Sequence, residues 1–99
     1  FDVVFSMEVL YYLQSPENIL KHIRSHMLKE GGYCIIGVDH YLENKASLSW
    51  AQDLNVSMRT YSISEWEKMF KEAGFYNINK YQFGQKKNWE GTLIFWATC

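Results

Sequence analysis

The sequence has 99 residues, of which 47% are hydrophobic and 17% aromatic, and its formal net charge is −1. This length allows at most one small domain, and this composition supplies enough apolar material for a packed core, which excludes a disordered chain. The basic residues are scattered, which argues against binding to nucleic acid or to an anionic membrane surface. No apolar run is long enough to span a bilayer.

The two cysteines, Cys34 and Cys99, predict a reduced compartment, because secreted domains of this size usually carry denser cysteine frameworks. Cys34 lies within an apolar run, where a thiolate is costly, so it is not expected to be a nucleophile. We therefore expect two free thiols in a cytoplasmic protein.

The chain begins with a predicted strand, Phe1–Phe5, that breaks at Ser6. A helix is predicted to start near Ser15, whose hydroxyl can cap free N–H groups, because Pro16 suits the first helical position. Apolar side chains then recur with the helical period on one face: Ile19, Leu20, Ile23, Met27 and Leu28. Gly31-Gly32 is predicted to end this helix.

Tyr33–Val38 (YCIIGV) is a near-continuous apolar run, typical of a strand that is buried on both faces of a parallel sheet. The order strand, helix, strand predicts a right-handed βαβ unit. Asp39 and His40 follow the second strand, at the edge where open α/β sheets bind ligands. The long polar stretch Tyr41–Tyr61, with a short helix around Ala46–Leu54, is predicted to be a lid or binding loop.

A second helix is predicted from a capping box at Ser64 and Glu67, and Gly74 is expected to stop it. Its apolar face consists of four residues at helical spacing: Trp66, Met69, Phe70 and Ala73. Two further strands, Phe75–Phe83 and Thr92–Thr98, should be antiparallel because the connection between them is short. The predicted α/β order is β-α-β-(loop)-α-β-β, with helices covering both faces of the sheet.

The stretch FDVVFSMEVLYYL, followed by SPENILKHIRSHMLKEGGYCIIGV, resembles the middle of a class I S-adenosylmethionine-dependent methyltransferase of the small-molecule type. The shared pattern is FDxV, a short polar stretch, an apolar run, a Pro-started helix and LKxGG before an apolar strand. The resemblance covers nearly the whole chain. It makes Phe1–Phe5 the fourth strand and Tyr33–Val38 the fifth. The closing antiparallel hairpin then matches the sixth and seventh strands of this Rossmann-like fold.

The resemblance implies that residues 1–99 are the C-terminal half of a methyltransferase domain. The family binds its cofactor mainly through a Gly-rich turn after the first strand and an acidic residue after the second. Neither feature occurs in this sequence. We therefore expect this chain alone to bind S-adenosylmethionine weakly and to be inactive.

The implied cofactor is S-adenosylmethionine, and Ser6, Met7 and Glu8 would border its methionine part. Glu8 could hold the cofactor ammonium or a substrate amine, or it could be a solvated acid favoured by a helix dipole. Related enzymes that act on quinone precursors often show M-E-x-L-E-H here, where this chain has Tyr11 and Tyr12 in the last two positions. One remaining carboxylate does not make a metal site, so no metal is expected.

Asp39 and His40 are the candidate catalytic pair. Methyl transfer to oxygen or nitrogen needs a base, and histidine titrates near neutral pH. An ordinary polar strand end is the alternative for both residues.

The candidate substrate-binding residues are aromatic or cationic: Tyr11, Tyr12, Trp50, Arg59 and Tyr61. The tyrosines after the first strand could form an aromatic wall, and Arg59 could bind a carboxylate through its planar fork. Core packing and lid packing are the alternatives.

The predicted function is S-adenosylmethionine-dependent methyl transfer to a small molecule, as part of a longer chain. The alternative is a non-catalytic methyltransferase-like module that pairs with another chain. Phe1–Phe5 would otherwise be an exposed apolar sheet edge, and a homodimer could form through it. A dehydrogenase-type α/β protein is disfavoured by the closing hairpin.

Overall fold

The computed structural model describes all 99 residues, which form one four-stranded mixed sheet. Its strands are β1 (Val3–Met7), β2 (Tyr33–Val38), β3 (Tyr76–Phe83) and β4 (Thr92–Thr98). The order across the sheet is β1-β2-β4-β3. Strand β1 is parallel to β2, and β4 is antiparallel to both of its neighbours, β2 and β3. The predicted element order and the closing antiparallel hairpin are confirmed.

The first strand starts and ends two residues later than predicted. Ser6 does not break it, because Ser6 and Met7 pair with Ile36 and Gly37 of β2. The chain turns only at Glu8, whose backbone has a φ of 62°. A short 3-10 turn, Leu10–Tyr12, follows.

Helix α1 (Pro16–His22) begins at the predicted proline and continues as a π-helical turn, Ile23–Met27. The predicted cap is wrong, because the Ser15 side chain makes no capping hydrogen bond. The helix ends at Leu28, which is extended. Gly31-Gly32 is therefore not the helix stop that the sequence predicts but the turn into β2.

The long loop contains a 3-10 turn, Lys45–Ser47, and helix α2 (Trp50–Leu54), close to the predicted short helix. Helix α3 (Ile63–Ala73) has its capping box at Ser62 and Glu65. The predicted box two residues later is wrong: S-x-x-E occurs twice in SISEWE, and the earlier pair carries the hydrogen bonds.

One face of the sheet packs against α3, and α1 contacts α3 and contributes Leu20 to the same hydrophobic core. Phe70 of α3 stacks on Phe95 of β4, with 5.0 Å between ring centroids. The buried core residues contributed by the sheet to this covered face are Cys34, Ile36, Val38, Leu93, Phe95 and Ala97. Both cysteines are free, as predicted, and the structure shows that both are buried; burial raises the pKa of Cys34 to about 12.

The opposite face of the sheet has no helix on it, so the prediction that helices cover both faces is wrong. We call this surface the open face; its exposed apolar side chains are Val3, Phe5, Met7, Tyr33, Tyr81, Phe83 and Trp96. Strands that read as apolar on both sides thus bury only one side within this chain. No helix of the structure is both long and apolar enough to cross a lipid bilayer.

Candidate functional site

Two carboxylates follow the parallel strands β1 and β2, whose carboxyl ends meet at one edge of the sheet: Glu8 and Asp39. The Glu8 backbone N–H donates to the Gly37 carbonyl at 2.8 Å, which fixes the turn after β1. Glu8 is held in the left-handed region, which is uncommon for residues other than glycine. Backbone strain of this kind concentrates at functional sites.

The Glu8 side chain lies between two polar neighbours and is half-buried. The Tyr11 hydroxyl donates to Glu8 Oε2 at 2.6 Å, while Oε1 is buried without a hydrogen-bond partner. Burial, together with repulsion from the nearby Asp39 carboxylate, raises the pKa of Glu8 to about 7, although the hydrogen bond from Tyr11 acts in the opposite direction. Glu8 can therefore gain or lose a proton near neutral pH.

Asp39 is anchored by one residue that lies five positions away in the chain and by one that lies 53 positions away. Thr92 Oγ1 donates to Asp39 Oδ1 at 2.5 Å, and Asn44 Nδ2 donates to the Asp39 carbonyl at 2.8 Å. The ion pairs of the structure involve neither Asp39 nor Glu8. The edge therefore presents two carboxyl groups without a protein cation.

His40 is 1% exposed, and both of its ring nitrogens have partners. Nδ1 lies 2.9 Å from the Ser47 carbonyl, and Nε2 lies 2.7 Å from Thr60 Oγ1. Since a carbonyl only accepts hydrogen bonds, Nδ1 must carry a proton. In the neutral ring, Nε2 then accepts from the exposed Thr60 hydroxyl.

Aromatic rings pack beside His40 and beside the tyrosine that donates to Glu8. Tyr11 lies 4.6 Å from Tyr12 and 5.5 Å from His40, measured between ring centroids. Trp50 lies 6.3 Å from His40 and stacks on Trp89 at 6.0 Å. Trp89, in the hairpin turn, therefore belongs to the wall beside the site.

Residues 1–80 match the family described as "Methyltransferase domain". The chain is a member of this methyltransferase family. The predicted resemblance is thereby confirmed. No curated protein matches the sequence.

Solved structures show the same methyltransferase fold. A chain in the complex between the Haloferax volcanii Trm112 methyltransferase activator and a methyltransferase is 25% identical, with a TM-score of 0.82 over 98% of this chain and 53% of that chain. A SAM-dependent methyltransferase of Thermotoga maritima is 20% identical, with a TM-score of 0.78 over 99% of this chain and 56% of that chain. This chain thus spans about half the length of both.

Human N-acetylserotonin methyltransferase, solved in complex with SAM, is 15% identical. Its TM-score is 0.71 over 98% of this chain and 29% of that chain. At this identity the likeness shows the fold alone.

The predicted site residues of this member of the methyltransferase family fall into three groups. The first group lies at the carboxyl-terminal ends of β1 and β2, which we call the carboxyl edge. Its members are Ser6, Met7, Glu8, Tyr11, Asp39, His40 and Trp50. The second, Tyr12 and Arg59, lines a cavity of about 340 Å³. The third is Tyr61 alone, whose ring packs edge-on against Trp66 of α3 at 5.2 Å. The structure therefore brings most of the predicted set to one edge and places the Tyr61 ring elsewhere.

Several residues that hold the site together could not be identified as site residues from the sequence. Thr92 and Thr60 reach it across long chain separations that leave no local signal. The buried Tyr41, Asn44 and Ser47 recur every third residue, which is the period of 3-10 turns, so this spacing was an available signal. No three His, Cys, Asp or Glu side chains come together as a group that could hold a metal ion.

Proposed function

We propose that this chain forms part of a longer S-adenosylmethionine-dependent methyltransferase that acts on a small molecule. The observation that carries the proposal is the carboxyl cluster of Glu8 and Asp39, with one buried, unpartnered oxygen, at the ligand-binding edge of a methyltransferase fold. The human relative solved with SAM supports the cofactor. The relatives' greater length supports a longer working chain, in which residues 1–99 are the second half of the domain.

The turn after β1 fits one end of this cofactor. Glu8 Oε1 lacks a donor, and the cofactor's ammonium group would supply one. Ser6 and Met7 end the strand beside it, so these three residues would border the methionine part. The glycine-rich turn that binds the rest of such a cofactor is not among these 99 residues.

S-adenosylmethionine supplies, when bound, a methyl group on a positively charged sulfur, which an acceptor attacks in line. The chain's own contribution is to orient the acceptor and to remove its proton. Asp39 can take this proton directly. His40 can take it at Nε2 through the Thr60 hydroxyl, while the Nδ1–H bond to the Ser47 carbonyl steadies the charged ring.

The acceptor would lie against the aromatic rings beside these groups. Tyr11 donates its hydrogen bond to Glu8, and burial, followed by this bond, raises its pKa well above the usual value. Tyr11 therefore stays a donor at any physiological pH. Tyr12 and Trp50 would form the flat walls, with Arg59 in the loop that covers them, whereas the Tyr61 ring packs against Trp66 and would not reach the acceptor.

The test uses the complete methyltransferase. Glu8→Gln should weaken cofactor binding about tenfold, because a carboxylate–ammonium contact is worth roughly 1.5 kcal/mol. His40→Ala should lower kcat about 100-fold with unchanged cofactor affinity. Thr60→Val tests the same proton path without opening the core, and His22→Ala, on the helix surface, is the control. Unchanged turnover in the Glu8, His40 and Thr60 variants would show that the proposed site is wrong.

A second candidate is a non-catalytic module that pairs with another chain. Strand β1 pairs only with β2, so its other edge is free, and Phe5 on it is 65% exposed. One relative forms a complex with an activator protein, which supports a protein partner. A second copy of this chain could also pair through β1.

Sedimentation velocity distinguishes these outcomes. If β1 pairs with a second copy, the chain should dimerise, and Phe5→Lys should make it a monomer. The matched control is Phe83→Lys, on the opposite edge strand β3, which should leave the dimer intact. A monomer over the whole concentration range would exclude the homodimer.

A further inference from the structure

A cavity of about 340 Å³ lies between the 3-10 turn after β1 and the segment that follows α2. Its lining residues are Tyr12, Leu13, Gln14, Ala51, Val56, Ser57, Met58 and Arg59. Five of them are hydrophobic, and Arg59 is the one charged residue among them. Cavities of this size, with apolar walls and few polar groups, are typical of small-molecule sites.

Backbone hydrogen bonds build this cavity. The Arg59 N–H donates to the Tyr11 carbonyl at 2.7 Å, which ties one wall to the 3-10 turn. The Val56 N–H donates to the Ala51 carbonyl at 3.0 Å, which folds the chain back after α2. Leu13 and Met58 also pack against the hydrophobic core. The walls are therefore held in place by the fold.

The Arg59 guanidinium has no partner of its own. It forms none of the ion pairs or side-chain hydrogen bonds of the structure. A guanidinium presents a planar fork of donors that matches a carboxylate with two parallel bonds. An unpaired fork beside apolar walls is thus complementary to a molecule with an apolar body and one carboxylate.

Other cavities of the chain lack this combination. A larger one of about 540 Å³ contains Arg24, but it also contains Glu30, and Arg24 Nε already donates to the Gly74 carbonyl. Another, of about 430 Å³, has a single hydrophobic lining residue and two acids, Glu43 and Glu90. A third, of about 200 Å³, has Lys80 as its charged lining residue, but Lys80 forms an ion pair with Glu67. The cavity at Arg59 therefore differs from these in joining mostly hydrophobic lining residues to an unpaired positive charge.

We propose that this cavity binds a small-molecule carboxylate with an apolar body, and that Arg59 is the residue that selects the carboxylate. Tyr12 lines the cavity, and its ring lies 4.6 Å from Tyr11, whose hydroxyl donates to Glu8. A ligand held by Arg59 therefore has the carboxyl edge next to it. The role of this ligand as the methyl acceptor rests on the proposed function. The binding of the ligand to the cavity does not depend on that function.

The experiment measures binding of 3-phenylpropanoate to this chain by amide NMR titration, without cofactor. The neutral amide and the amine of the same carbon skeleton are titrated in parallel. The carboxylate should shift the amide signals of residues 12–14 and 56–59 and should bind about tenfold more tightly than the amide. Arg59→Gln should abolish this difference, and Lys21→Gln, an exposed cation outside the cavity, should preserve it.

The proposal is overturned if the carboxylate and the amide bind equally to the unaltered chain. Shifts that map to other residues, or an Arg59→Gln variant that keeps the preference, would overturn it as well. Because no cofactor or turnover enters this measurement, its failure is separate from failure of the proposed methyl transfer. Conversely, carboxylate binding with no turnover in the complete protein would leave the cavity assigned and the catalytic proposal refuted.

Discussion

The two faces of the sheet are built from similar residues and have opposite surroundings. On the covered face, Phe70 and Phe95 stack with no solvent exposure, while on the open face Phe5 is 65% and Phe83 72% exposed. Both sets come from strands or helices with high aromatic content. Aromatic content in a strand therefore indicates that a surface is suited to burial, but it does not show which element covers it.

The largest expected contrast is in stability. Phe70→Ala should cost about 3–5 kcal/mol in the free energy of unfolding, because it removes a fully buried ring from the covered face. Phe5→Ala, on the open face, should change this free energy by no more than about 0.5 kcal/mol. Denaturant unfolding of both variants measures the difference. Equal losses would mean that the open face is covered in solution.

Two glycines give a contrast of intermediate size. A Cβ on Gly32 would lie 2.8 Å from the Asp2 carbonyl oxygen and 3.0 Å from that of Lys29, both of them backbone atoms that cannot move aside. Gly32→Ala should therefore cost about 1–3 kcal/mol.

A Cβ on Gly37, in contrast, would meet the sulfur end of the Met7 side chain. Met7 lies on the open face and is free to swing away, so Gly37→Ala should cost less than about 1 kcal/mol. Thermal or denaturant unfolding of the two alanine variants checks the order. A Gly37 variant as damaged as the Gly32 variant would argue that something holds Met7 in place.

The smallest expected effect on stability is at Glu8, which follows β1 at the carboxyl edge of the sheet. Because the pKa of Glu8 is about 7 in the folded chain and 4.5 in a free side chain, the folded state holds its proton more tightly. Stability should therefore decline as pH rises from about 4.5 to 7 and stay lower above it. The full shift corresponds to roughly 3 kcal/mol, and solvent screening at this half-exposed group reduces it to about 1 kcal/mol.

Glu8→Gln removes this dependence. The variant should gain about 1 kcal/mol over the unaltered chain at pH 8 and nothing at pH 4. Unfolding free energies at pH 4, 5.5 and 8 provide the comparison, with the exposed Glu30→Gln as the control. A gain that does not vary with pH would contradict the raised pKa.

The sequence predicts local features of this fold well. Tyr33–Val38 and Thr92–Thr98 have the strand limits expected from their apolar runs, and Pro16 starts α1. The wrong capping box arises because two equivalent motifs overlap, and short-range patterns cannot distinguish them. Ser62 and Ser64 each begin an S-x-x-E motif, and only packing of the helix decides which one caps it.

The position of the candidate site could be predicted from the sequence, but its hydrogen bonds could not. Asp39 and His40 could be placed at the carboxyl edge because parallel strands end there. The partners of His40, in contrast, come from the Ser47 carbonyl and from Thr60, which lies 20 residues away. Such contacts depend on the path of the long loop, which no periodicity in its sequence describes.

The hydrogen bond from Thr92 to Asp39 has a consequence for how the site comes into being. It joins residues 53 positions apart, and Tyr41 bonds to the Gly91 carbonyl in the same place. Long-range contacts of this kind form late, since closing a long loop costs entropy before the contact rewards it. The βαβ unit can therefore form before the Asp39 carboxylate accepts its hydrogen bond from Thr92. The polar edge therefore takes shape only once Thr92 of β4 is available to donate its hydrogen bond to Asp39.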